Sequence, residues 1–92
     1  MRAVYKYPIE VADDFVVTMP QAHRVIHVEL QQEAPCMWVE VDTESPDLPF
    51  RFHVEGTGHP VAPGTEHVGS WVGEPFVWHL YENPAGRWEV MS

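Results

Sequence analysis

The 92 residues carry 14 acidic side chains against five Lys and Arg, a formal charge of −9, and that field repels phosphate backbones and argues against nonspecific nucleic-acid binding. The acids are scattered without a long run, so they read as a solvated surface rather than a built acidic patch. A single cysteine, Cys36, excludes an internal disulfide and any cysteine-based zinc site, and no apolar run approaches the ~20 residues of a membrane span, so a cytoplasmic chain without membrane association is expected.

No window shows helical periodicity, whereas period-two alternation bounded by Pro, Gly, Asn and Asp recurs throughout. Strands are expected near Arg2 to Tyr7, Phe15 to Met19, His23 to Gln31, Cys36 to Asp42, Phe50 to Glu55, Glu66 to Val72, Phe76 to Glu82 and Arg87 to Met91. The fold class is all-β: a single domain, a small antiparallel sandwich or barrel of seven to eight short strands. Four Trp, four Phe and three Tyr give it an aromatic core or interface.

Three hairpins follow in chain order. A four-residue loop Gln32-Glu33-Ala34-Pro35 sets Leu30 against Met37, Val28 against Val39, Ile26 against Val41 and, on the other face, His27 against Glu40. A Gly73-Glu74 turn sets Trp71 against Phe76 and Gly69 against Trp78, so that the missing side chain of Gly69 makes room for an indole. The loop Asn83-Pro84-Ala85-Gly86 sets Glu82 against Arg87 and Tyr81 against Trp88. The middle hairpin also reads as mostly apolar on its second face, through Val68, Val72, Val77 and Tyr81. A sheet apolar on both faces needs a second cover, so a homo-oligomer is expected.

The segment Gly56-Thr57-Gly58-His59-Pro60 is the one turn whose chemistry looks selected. Two glycines open conformations closed to other residues, Pro60 fixes the exit and His59 is its titratable group. Its amides could face an anion, with Thr57 and His59 as added donors, although a tight structural turn has the same composition. Arg51 adds a phosphate-pairing charge, and Trp71 and Trp78 add stacking faces. Six histidines invite a metal, but no ligand spacing occurs, and alternation places His67 and His79 on opposite faces of their hairpin. Ser70 shares a face with His79 but lies in a strand, not on a nucleophile elbow. Cys36 has no cationic neighbour in sequence and reads as an inert thiol.

The blocks Tyr5-Lys6-Tyr7-Pro8, Val41-Asp42, Gly56-Thr57-Gly58-His59-Pro60, His67-Val68-Gly69 and Val77-Trp78-His79-Leu80-Tyr81-Glu82 resemble a family of small uncharacterised bacteriophage and prophage proteins. The likeness spans residues 5 to 82 and implies an accessory protein acting in the cytoplasm of a bacterial host. Small accessory proteins of that kind often work by binding, which is an analogy of role. The reading is a non-enzymatic oligomeric binding protein, an anti-defence factor that takes a small anionic, nucleotide-like ligand or blocks a host protein. A minor structural or assembly protein and a histidine- or metal-dependent enzyme are the alternatives. The candidate ligand-binding set is Arg51, Gly56, Thr57, Gly58, His59, Trp71, Trp78 and His79, with no catalytic residue, no metal ligand and no cofactor.

Overall fold

The alternating segments pair into two antiparallel sheets. The computed structural model describes residues 1–83 and contains β1 (Arg2–Pro8), β2 (Asp14–Pro20), β3 (His23–Gln31), β4 (Ala34–Asp42), β5 (Asp47–Gly56), β6 (Glu66–Gly73) and β7 (Phe76–Glu82). One sheet has the order β1-β4-β3 and the other β2-β5-β7-β6, and no helix occurs among the described residues. The all-β expectation holds, in its sandwich form.

Inward positions of the central strands build the core. Met37, Val39 and Val41 of β4 are buried with Phe50, Phe52 and Val54 of β5 and Leu80 of β7, and Phe15 stacks on Phe52 at 5.6 Å between centroids. Each fully buried Phe contributes roughly 1.5–3 kcal/mol by leaving water. Outward positions carry the polar residues: Arg2, Lys6 and Arg24 share the outer face of the three-stranded sheet with Glu40 and Asp42. There Glu40 accepts from Arg2 at 2.7 Å and lies 3.6 Å from Arg24, so it is not the partner of His27. His27 instead faces Trp38, their rings 5.3 Å apart, and lies 3.5 Å from Glu29.

Both expected hairpin registers are corrected. The β3–β4 turn is Gln32-Glu33 alone, both residues left-handed at φ 50° and 70°, so Leu30 faces Pro35, Val28 faces Met37 and His27 faces Trp38. This is the conformation of a tight hairpin turn, here adopted without the Gly or Asn that usually marks it. A bulge at Ile26 then shifts the pairing again, putting Val25 against Val39 and His23 against Val41. Ile26 is turned out to solvent and His23 is turned in.

In the β6–β7 hairpin the turn is Glu74-Pro75, so Trp71 faces Trp78 and Gly69 faces Leu80. A bulge at Val68 follows, and beyond it His67 faces Tyr81. The expected strand Arg87 to Met91 and its pairing with β7 lie outside the described residues. Both edges of β7 are occupied at Tyr81, by His53 and His67, and at Glu82, by Phe52 and Glu66.

The two sheets meet along β3 and β6. A Cβ on Gly69 would lie 2.3 Å from Val28 Cγ2 and 2.7 Å from Val28 Cβ, far inside van der Waals contact. Gly69 thus makes room for Val28 of the opposite sheet, not for Trp78. At the other end of β3 the bulge delivers His23 into the interior, where its Nδ1 donates to Pro20 O at 2.8 Å and its Nε2 hydrogen-bonds Glu82. Pro20 O only accepts, so Nδ1 holds a proton, and one further proton lies between Nε2 and the carboxyl.

Gly69→Ala is expected to destabilise the protein by about 1–3 kcal/mol through overpacking. In denaturant melts the double variant Gly69→Ala/Val28→Gly should recover part of that loss, with a coupling of roughly 0.5–3 kcal/mol. Additive losses would show that the two residues do not compete for one space. Glu82→Ala should cost about 3–5 kcal/mol because it strips a buried group of its partner. Glu82→Gln should cost clearly less in the same melts, since its amide can donate to the bare Nε2 of a neutral His23.

Candidate functional site

The selected-looking turn lies where β5 ends, beside the paired tryptophans. His59 N–H donates to Gly56 O at 3.1 Å and closes the turn, and Thr57 N–H donates to Val77 O at 3.3 Å and ties it to β7. Gly58 sits at φ 90° with open space around it, so its glycine answers to backbone geometry alone. Two of the turn's amides are therefore spent inside the protein and cannot cradle an anion. The imidazole of His59 remains exposed.

Gly56 is the cross-strand partner of Trp78, and a Cβ on Gly56 would touch both the indole, at 3.5 Å, and His59, at 3.7 Å. Turn and tryptophan thus form one wall. Gly73 supplies the room for that indole, since a Cβ there would approach Trp78 Cδ1 and Nε1 to 3.2 Å. Trp78 also takes the edge of Phe76 at 5.7 Å between centroids. Trp71, directly opposite Trp78, is buried beneath it.

Two open grooves share this wall. One, of about 260 Å³, lies between Val11, Asp13, Glu55, His59 and Trp78. The other, of about 470 Å³, runs past Val11 and Trp78 to Leu30, Pro35 and Trp71, with Glu33 and Glu74 from the two hairpin turns at its rim. Val11 and Trp78 belong to both, so the grooves adjoin at one end of the sandwich. Among the described residues four carboxylates border them and no Lys or Arg lines either.

Of the expected site residues, Gly56, His59, Trp71 and Trp78 meet at these grooves. Thr57 and His79 belong to a different surface, the outer face of the four-stranded sheet, where Thr57 Oγ1 and His79 Nε2 are 3.0 Å apart. There His79 Nδ1 meets Ser70 Oγ at 2.8 Å, and Ser70 Oγ meets His67 Nε2 at 2.8 Å. His67 and His79 therefore share a face, with ring centroids 6.0 Å apart, because the bulge at Val68 reverses the alternation that would have separated them. Arg51 joins neither cluster; it is exposed, 3.9 Å from Asp14.

Val11, Asp13, Leu30, Glu33 and Glu74 escaped the sequence reading. They come from a connection, the end of β3 and two turns that only the tertiary fold brings together, and no local pattern marks them. Cys36 is buried, with Sγ 3.7 Å from Ala34 O, as an inert thiol would be.

His59→Ala should leave the melting temperature nearly unchanged, because the side chain is exposed and buries little. Gly58→Val should destabilise by roughly 1–3 kcal/mol through backbone strain alone. Equal melting of the two variants would remove the assignment of the turn's geometry to Gly58.

No curated protein and no solved structure matches the chain. One family does match, a domain of unknown function, DUF7352, over residues 1–90. The match takes in every strand described above and both site clusters, so the chain belongs to the DUF7352 family.

Proposed function

We propose that this chain is a non-enzymatic binding protein, a bacteriophage or prophage accessory factor that captures a segment of a host protein in the groove at the Trp71–Trp78 end of the sandwich. The observation that carries the reading is an aromatic and aliphatic groove bordered by Asp13, Glu33, Glu55 and Glu74, with no lysine or arginine among the described residues that line it. Apolar floor and acidic rim together fit a short peptide with an aromatic or branched aliphatic anchor flanked by Arg or Lys. The same carboxylates weigh against the anionic, nucleotide-like ligand, as do the spent amides of the turn and the distance of Arg51 from the groove. A second copy of this chain is a poor occupant, since two bodies of formal charge −9 repel. Ser70, which contacts His67 and His79, lines neither groove, and neither do those histidines.

A displayed random-peptide library tests this. Selection on the wild-type protein should enrich sequences with an aromatic or aliphatic centre and basic flanks. Trp78→Ala and Glu74→Lys should each weaken a selected peptide by about tenfold, and rising salt should weaken it further. Enrichment of acidic sequences, equal enrichment on Trp78→Ala, or displacement of a selected peptide by ATP would overturn the reading.

A further inference from the structure

The outer face of the four-stranded sheet carries a chain of hydrogen bonds that the groove does not use. Its direction follows from donor counting. Thr57 Oγ1 lies 3.3 Å from Val77 O and 3.0 Å from His79 Nε2; with the hydroxyl proton on Val77 O, which can only accept, His79 Nε2 is the N–H that donates to Thr57. In a neutral imidazole with Nε2 protonated, Nδ1 is a bare lone pair. That lone pair points at Ser70 Oγ, 2.8 Å away, and His67 Nε2 approaches the same oxygen to 2.8 Å. Two ring nitrogens from adjacent strands thus converge on the Ser70 hydroxyl.

We propose that His67 Nε2 and His79 Nδ1 form a binding site for an imidazole-seeking divalent transition metal, of the zinc, nickel or copper(II) class, with Ser70 Oγ and water completing the coordination. Three features support it independently of the groove. Thr57 holds His79 Nε2 from behind, the arrangement by which a ligating imidazole is oriented through its second nitrogen. Tyr81 meets the His67 ring edge-on at 5.4 Å and holds its plane, while the exposure of His67 lets its proton move to Nδ1 and free Nε2 for the metal. The local field favours a cation: Glu55 is the cross-strand partner of His79, and β6 and β7 contain no Lys or Arg. Among the described residues no three His, Cys, Asp or Glu side chains gather as a ligand group, so the protein offers two nitrogens and leaves positions open. Two imidazoles without a carboxylate select zinc, nickel or copper over magnesium and calcium, which want oxygen.

The test is calorimetric titration of untagged protein with nickel(II) and with magnesium(II), followed by copper(II)-induced broadening of the imidazole proton signals in NMR. Nickel should bind and magnesium should not. His67→Ala and His79→Ala should each weaken nickel binding by at least about tenfold, and Thr57→Val by roughly tenfold through loss of the orienting bond. Because His67 is exposed, His67→Ala keeps the test valid should His79→Ala fail to fold. Substoichiometric copper should broaden His67 and His79 before His27 and His59. Wild-type nickel affinity in His67→Ala, absence of nickel binding by the wild type, or equal broadening of all exposed histidines would overturn the proposal.

Discussion

The contact of Val28 with Gly69 is the constraint on which the sandwich depends. Elsewhere the sheets are held apart by side chains from both inner faces, but here an isopropyl group occupies the space of a missing Cβ and two edge strands come together. A bulge lies close by on each strand, at Ile26 and at Val68, and bulges bend and twist the strand that carries them. Twist of that kind lets both edges converge without breaking their own ladders. Each bulge also changes which residues lie beyond it. In β3 it turns His23 inward to Glu82, and in β6 it turns His67 outward to Ser70. A buried polar pair and an exposed histidine cluster are thus two products of one way of closing the sheets.

The aromatic residues are divided between cohesion and recognition. Phe15, Phe50 and Phe52 are interior, whereas Trp78 is half-buried, with Phe76 on one side and His59 on the other. A large indole held at a groove wall by two glycines is rigid as well as accessible. Rigidity matters for recognition because an anchor already ordered loses little entropy when a partner covers it.

The strands were legible in the sequence because alternation and turn residues agree over most of the chain; β3 and β7 occupy His23–Gln31 and Phe76–Glu82 as the pattern indicates. Both hairpin turns were misplaced, yet each by a shift of two in the pairing, which conserves the face of every side chain. Trp71, Trp78 and Gly69 therefore share one face as read, and Val28 shares that of Met37, although the partners differ. What alternation could not reveal is the pair of bulges, because one extra residue reverses every face beyond it and neither Ile26 nor Val68 signals one. The histidine cluster was missed for that reason. The groove was half legible: its glycines, tryptophans and His59 carry local signals, while Val11, Leu30 and the two turn glutamates become neighbours only through the fold.

The positions of the basic residues along the strands have a kinetic consequence. Arg2 and Arg24 stand beside Asp42 and Glu40, at the end of β4 opposite Pro35 and the groove, whereas the described residues that line the groove include no Lys or Arg. The groove thus presents carboxylates with no cation among its described lining residues to offset them. An approaching basic body is attracted to that rim before any atoms meet. Productive encounters then make up a larger share of collisions, and capture is hastened without any contact having been strengthened.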